Sequence, residues 1–364
     1  MECLSIPEQK GKNFFQSLID RSPNQRLPIS GSLEITMRCN LRCVHCYLGE
    51  NRFTQKNNEL TTVEIYRIID ELVDAGCLWL LITGGETFLR PDLFDVLGYT
   101  RKKGIIVSLF SNGTMLTEEN VKKLADCPPQ SFEITVYGYS QATYEKVTGI
   151  PGSHARFLAG LELLKKHNIP VQLKSVFMKA NLHEFSDIRK FALGYGSEFR
   201  FDGFLAQAID GSDHPIRQRI SVEEVVQLDA TDPERIKEYT ARASRTVDQY
   251  PVSPTIFSCG AGLRSFHINS FGMLSPCIFT RGVSYNLREG PFCEGWDGIL
   301  FKARSQTSSN NTRCSTCSVR HMCHKCPGYS YLERNDLEAP VDYLCQLAHH
   351  RANTYSEIVK GEDK

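Results

Sequence analysis

The 364-residue chain is 41% hydrophobic and 23% charged, with 42 Lys and Arg against 42 Asp and Glu. That composition suits a globular protein with one large core and room for a smaller second unit, and its charge balance leaves no basic footprint for nucleic acid. No run of about eighteen apolar residues offers a membrane span. Met1-Glu2-Cys3-Leu4-Ser5-Ile6-Pro7-Glu8 has neither the basic nor the apolar region of a signal peptide, so a cytoplasmic location is expected. Fourteen cysteines in such a chain point to metal or redox chemistry rather than disulfides.

Residues 1–30 read as a polar arm with one short helix around Phe14–Ile19. Leu33, Ile35 and Met37 then alternate as a strand that runs into Cys39-x3-Cys43-x2-Cys46. Three thiolates on one short loop can hold three irons of a cubane cluster. The fourth iron is left open, and an open metal position is where chemistry happens. A structural zinc loop would need a fourth ligand, and only His45 is at hand. Asn51–Asn58 is a polar loop, and Thr61-Thr62-Val63-Glu64 forms a capping box for a helix carrying Ile65, Ile68, Ile69 and Leu72 at helical spacing.

Leu78–Ile82 reads as a buried strand ending in Thr83-Gly84-Gly85-Glu86, with a helix after Pro91. Ile105–Phe110 is a third strand, closed by Ser111-Asn112-Gly113-Thr114 and followed by a helix over Leu116–Ala125. Ser131–Tyr137, containing Thr135, is a fourth strand, and the next helix presents Phe157, Leu161 and Leu164. Val171–Met178 and Glu198–Phe204 are strands flanking a helix near Glu184–Leu193. The alternation predicts an α/β fold with a parallel sheet, right-handed crossovers and functional residues at the carboxyl ends of the strands. Composition alone leaves open whether that sheet is doubly wound or curved into a barrel.

Leu205–Ile220 is a long loop placed to act as a substrate-facing lid, and Ser221–Leu228 and Pro233–Val247 are helical. Beyond this point the composition changes, because eight of the cysteines fall between Cys259 and Cys345, while Cys3, Cys77 and Cys127 are isolated. His321 and His324 stand among these cysteines, His349 and His350 on a terminal helix, and Trp79 and Trp296 read as core or domain-contact residues.

The CxxxCxxC loop after a first strand, with Asn40 after its first cysteine and His45-Cys46-Tyr47 at its end, resembles the radical S-adenosylmethionine (AdoMet) enzymes. The resemblance implies a partial (β/α)6 barrel in which Cys39, Cys43 and Cys46 carry a [4Fe–4S] cluster. AdoMet chelates the open iron, the reduced cluster cleaves it, and the 5′-deoxyadenosyl radical abstracts a hydrogen atom from substrate. It further implies that Gly84, Gly85 and Glu86 receive the amino group of AdoMet, with Thr87 where proline is usual. Ser111 and Asn112 would contact the ribose, and Thr135 would place a hydroxyl near the cofactor.

The series Cys259, Gly272-x4-Cys277, Cys314-x2-Cys317-x5-Cys323-x2-Cys326 and Cys345 resembles the SPASM extension of that family, which carries one or two auxiliary clusters. By that resemblance Cys314, Cys317, Cys323 and Cys345 hold an outer cluster, and Cys259, Cys277 and Cys326 an inner one. The last close pair has two intervening residues where three are commoner. Read from spacing alone, a pair of zinc knuckles serves equally well. The inner set lacks a fourth thiolate, and Cys293 is the one spare cysteine nearby, either a ligand or a buried apolar residue.

The expected layout is an arm (1–30), the barrel (31–220), a helical linker (221–258), the SPASM unit (259–347) and a terminal helix (348–364). The activity implied first is post-translational maturation of a peptide. A sugar or tetrapyrrole dehydrogenase or decarboxylase, and a non-catalytic iron–sulfur electron carrier, are the alternatives. Expected partners are a peptide or small-molecule substrate, an electron donor such as flavodoxin or ferredoxin, and a separate peptide-recognition protein. Sulfatase maturation is disfavoured, because Ile278 stands where those enzymes place an aspartate base.

Overall fold

The computed structural model describes residues 25–50, 58–195, 199–309 and 311–362. The predicted helix around Phe14–Ile19, most of the Asn51–Asn58 loop and Glu198 lie outside the described residues.

Six strands pair in parallel in the order in which the chain lays them down: β1 (Ser30–Thr36), β2 (Trp79–Gly84), β3 (Ile106–Ser111), β4 (Ser131–Thr135), β5 (Gln172–Val176) and β6 (Arg200–Asp202). The crossovers carry α1 (Thr62–Asp74), α2 (Leu93–Lys102), α3 (Glu118–Asp126), α4 (Gln141–Thr148), α5 (Ser153–Lys166) and α6 (Phe185–Leu193). A doubly wound sheet reverses its strand order at a switch point. This one does not, so the sheet is wound one way, as in a barrel, and stays open because β6 does not pair with β1.

The side chains agree with that winding. Leu33, Ile35, Leu80, Ile82, Val107, Leu109, Ile134 and Leu173 are buried in one core with Ile65, Ile68, Leu97, Val121 and Leu161 of the helices. The opposite face carries Ser32, Glu34, Thr83, Phe110, Glu133 and Lys174. Strands covered by helices on both faces would read as continuous apolar runs. Here that face is mostly polar, with Leu81 and Phe110 among its apolar positions, because it lines the inside of the partial barrel.

Local signals end the elements where they should. Thr61 and Glu64 form the reciprocal capping box of α1, a contribution of about 1 kcal/mol. Between β4 and β5 there are two helices where the periodicity suggested one. Gly149 and Gly152 both adopt positive φ (66° and 72°) and break the segment around Pro151, so Phe157, Leu161 and Leu164 belong to the second helix only.

The cysteine-rich part does not start a separate sheet. β7 (Ser265–Ile268) pairs in parallel with β1, and β8 (Met273–Ser275) and β9 (Tyr285–Asn286) continue antiparallel, giving nine strands in one sheet. Gly31 makes this junction possible, since a Cβ there would lie 2.1 Å from the Phe266 ring. Phe266 packs on Phe292 and Trp296, which stack on each other along a helical stretch at 292–304. The long loop at 205–220 contains one helical turn, His214–Arg217. α7 (Val222–Asp229) and α8 (Pro233–Ala243) pack against the terminal helix α10 (Asp342–Glu362), which follows α9 (Pro327–Arg334). The buried Arg351–Asp229 pair (2.7 Å) and Arg235–Asp229 (3.0 Å) fasten these helices together. The terminal helix starts earlier than the periodicity suggested and carries Cys345.

Candidate active site

The loop from Cys39 to Cys46 leaves the carboxyl end of β1 and is held from two sides. On one side Gly85 N–H donates to Thr36 O and Glu86 N–H to Arg38 O, both at 2.8 Å. A Cβ at Gly84 would lie 2.1 Å from Thr36 O, and one at Gly85 2.3 Å from Arg38 O. The two glycines thus admit the chain's own backbone leading to Cys39. On the other side Arg42 N–H donates to Thr148 O (2.8 Å) and Val44 N–H to Val147 O (2.9 Å), at the end of α4.

Cys43 is buried and Cys39 and Cys46 are half-buried. Burial, together with the nearby Glu86 and Cys46, pushes the Cys39 thiol up to about 12, against hydrogen bonds from Leu41 N–H and Asn112. Three thiolates so close in a dry loop would need a positive partner, and iron is one that thiolates hold.

Glu86 is 1% exposed. Its carboxylate accepts from Ser111 Oγ (2.8 Å), Asn112 N–H (2.7 Å) and Phe88 N–H (3.1 Å). Burial pushes its pKa up despite these bonds, and no lysine or arginine among the described residues offsets it. A ligand's ammonium group is the natural complement of such a carboxylate. Ser111 and Asn112 are thus brought together with Glu86. Asn40, which sequence reading noted only as part of the motif, joins them: Asn112 Nδ2 donates to Asn40 Oδ1 (2.9 Å), and Asn40 Nδ2 donates to Thr114 Oγ1 (2.7 Å). Thr135 ends β4 one strand further on, in register with Lys174. Lys174 pairs with Glu133 (3.2 Å) over the Phe110 ring, and burial lowers it to about 8 against that pairing.

The C-terminal cysteines fall into two sets. Beyond the effect of burial, Cys259 lies close enough to raise Cys277, and both raise Cys326; Cys345, Cys314 and Cys317 likewise raise Cys323, and these four line a cavity of about 980 Å³. Among the described residues no three His, Cys, Asp or Glu side chains close around a point that one metal ion could occupy. A zinc site gathers its ligands about 2.3 Å from one centre, whereas a cubane spreads its thiolates over four irons. Cys293 meets neither expectation: it is exposed and acts on Tyr285 rather than on either set. His324 is exposed as a residue, although desolvation of its ring lowers it to about 4, and it shares a hydrogen bond with Tyr239 (3.1 Å).

Beside Tyr47 and Cys277 lies a cavity of about 430 Å³, lined also by Ser32, Leu81, Thr83 and Phe110 of the inner barrel face, Phe266, His267 and Ile278. Beside it Glu34, fully buried, accepts from Tyr47 Oη (2.7 Å) and Arg281 Nη2 (2.8 and 3.0 Å), with His267 Nε2 at 3.5 Å. Burial alone would raise Glu34, but His267 and Arg281 hold it at about 2. This network joins the residue after Cys46 to the loop after Cys277, and sequence reading missed it entirely.

Residues 33–192, which span most of the barrel, match the Radical SAM superfamily. That family uses AdoMet and a [4Fe–4S] cluster. Over most of its length the chain is similar to known enzymes. It is 29% identical to the AdoMet-dependent heme synthase of Methanosarcina barkeri, covering 83% of this chain and 92% of that one. It is 26% identical to the antilisterial bacteriocin subtilosin biosynthesis protein AlbA of Bacillus subtilis, over 82% of this chain and 67% of AlbA. Streptococcus suis SuiB, solved with its precursor peptide SuiA, has the same fold (TM-score 0.71, 18% identity, 94% of this chain and 84% of SuiB). No helix among the described residues is long and apolar enough to cross a membrane.

Proposed function

We propose that this radical SAM enzyme matures a peptide, taking a hydrogen atom from a side chain held in the cavity between the Cys39–Cys46 loop and the Cys277 loop. The lining of that cavity carries the reading. Leu81, Phe110, Phe266 and Ile278 stand with the hydroxyls of Ser32 and Thr83, and no lysine or arginine among the described residues lines it. A slot of this size and polarity suits an uncharged side chain. The likeness to AlbA and to SuiB supports a peptide substrate.

In this reading Cys39, Cys43 and Cys46 hold the catalytic cluster. Glu86 meets the ammonium of AdoMet, and Gly84, Gly85, Ser111, Asn112 and Thr135 complete its site. When bound, these groups supply hydrogen-atom abstraction by a 5′-deoxyadenosyl radical. Cys259, Cys277 and Cys326, and Cys314, Cys317, Cys323 and Cys345, hold auxiliary clusters, and a flavodoxin- or ferredoxin-type donor reduces the enzyme. The Tyr47–Glu34–Arg281 network keeps the two loops that wall the cavity in register. The burial of Cys39 and Glu86 keeps water from the reacting centre.

A second reading, oxidation or decarboxylation of a tetrapyrrole side chain, is favoured by the 29% identity to the heme synthase over 92% of that enzyme. A tetrapyrrole's several carboxylates call for basic partners. Lys174 is engaged by Glu133 and Arg281 by Glu34. The test is deuterium transfer into 5′-deoxyadenosine, from side-chain-deuterated peptides and, separately, from iron coproporphyrin deuterated on its propionates. Transfer from a peptide supports the proposal, and transfer from the porphyrin alone replaces it with the second reading. Failure to cleave AdoMet at all would leave the electron-carrier reading.

A further inference from the structure

We infer that the hydroxyl of Tyr144 is a hydrogen-bond donor to sulfur of the cluster carried by Cys39, Cys43 and Cys46, and that it raises that cluster's reduction potential. The inference rests on the reading of these three cysteines as cluster ligands. Tyr144 lies on α4, the helix whose last carbonyls hold the cysteine loop. Arg42 and Val44, which donate to Thr148 O and Val147 O, flank Cys43, so the helix end is clamped around that residue. Tyr144 precedes Val147 and Thr148 by three and four positions and shares their face of the helix.

The side chain is 0% exposed, and its Oη has no hydrogen-bond partner. Its ring is packed between Phe157 (4.9 Å), His154 (5.3 Å) and Tyr137 (5.8 Å). A buried hydroxyl left unpaired costs about 1–3 kcal/mol, so phenylalanine would be the more stable choice unless something accepts from the oxygen. The negative groups that act on it are Cys43 and Glu86. The Glu86 oxygens already accept from Ser111, Asn112 and Phe88. Glu86 is thus the more engaged of the two, and the Cys43 side, clamped by the end of the same helix, is where a thiolate or a bridging sulfide would accept. Hydrogen bonds to cluster sulfur are among the factors that set the potential, and a donor favours the more negative, reduced state.

The test uses the full chain, reconstituted anaerobically and redox-poised. The paramagnetic signal lost in the Cys39→Ala/Cys43→Ala/Cys46→Ala variant is assigned to the catalytic cluster. If no signal is lost there, the ligand reading itself fails, independently of Tyr144. In Tyr144→Phe the reduced-to-oxidised ratio of that signal at a fixed potential should fall by about tenfold, equivalent to ~59 mV for a one-electron couple. Iron content and the remaining signals should stay unchanged. An exchangeable deuteron coupled to the reduced cluster in D2O should disappear with the hydroxyl. Should Tyr144→Phe fail to assemble, 3-fluorotyrosine at position 144 keeps the ring and makes a stronger donor, and the ratio should rise. An unchanged ratio in an assembled variant overturns the inference. So does a loss of AdoMet affinity with the potential measured without AdoMet unaltered, which would assign the hydroxyl to the cofactor instead.

Discussion

Replacing Arg281 by Met should invert the pH dependence that Glu34 contributes to stability. Glu34 is fully buried and held at about 2, well below the ordinary carboxylate value of 4.5. A depression of that size corresponds to ~3 kcal/mol of stability, fully present above the unfolded-state value and lost only as pH falls through the folded-state value near 2. Between pH 5.5 and 8 the parent protein should therefore show no slope from this group. Arg281→Met removes a charge whose Nη2 lies 2.8 Å from Glu34, so that against burial, the largest influence on this carboxyl, only His267 and the Tyr47 hydroxyl remain. Breaking a buried pair in this way costs about 3–5 kcal/mol. The carboxyl then titrates above its unfolded value, so stability is greatest at low pH and falls as pH rises, by up to ~1.4 kcal/mol per pH unit until Glu34 ionises in the folded state. Urea unfolding of the reconstituted protein across that pH range, followed by circular dichroism, reads both effects. A flat profile in the variant, or a cost below about 1 kcal/mol at neutral pH, would refute the account of the network as a buried ion pair.

Gly85→Ala should lower stability by about 1–3 kcal/mol and weaken AdoMet binding, because a Cβ 2.3 Å from Arg38 O must displace the cysteine loop; calorimetry and equilibrium dialysis check the two effects. AdoMet affinity should fall on acidification at a higher pH than an ordinary carboxylate would give, since the Glu86 pKa is raised, and Glu86→Gln should weaken binding while flattening that dependence. Cys293→Ala should leave iron content and cluster spectra unchanged, because Cys293 is exposed and its electrostatic neighbour is Tyr285. No formylglycine should form on a sulfatase-type peptide, because Ile278 lines the cavity where a carboxylate base would be needed.

The strands of the barrel were legible because their polarity alternates. Ser-Gly-Ser-Leu-Glu-Ile-Thr of β1 and Ser-Phe-Glu-Ile-Thr of β4 each bury one face and leave the other polar. Composition left open whether the sheet was doubly wound or a barrel, and only the resemblance carried by the cysteine motif pointed to the barrel. Cap chemistry was equally local: Thr61 and Glu64 announce α1, and Asp232 before Pro233 announces α8. β7 was not legible, since four residues carry little periodicity and their partner is β1, far back in the chain. Glu34 gave no signal either, because its partners Tyr47, His267 and Arg281 converge only once β7 joins β1. That the double glycine also admits the backbone of the cysteine loop could not be read from the sequence, because that contact forms only in the fold.

The most direct test of the central claim is the combined Cys39→Ala, Cys43→Ala and Cys46→Ala variant, reconstituted beside the parent and supplied with reductant and AdoMet. If each of the three cysteine sets carries a four-iron cluster, the parent holds about twelve irons. The variant should lose about a third of them, together with all production of 5′-deoxyadenosine. Retention of the parent's iron, or continued cleavage of AdoMet, would contradict the assignment of this loop as the catalytic centre.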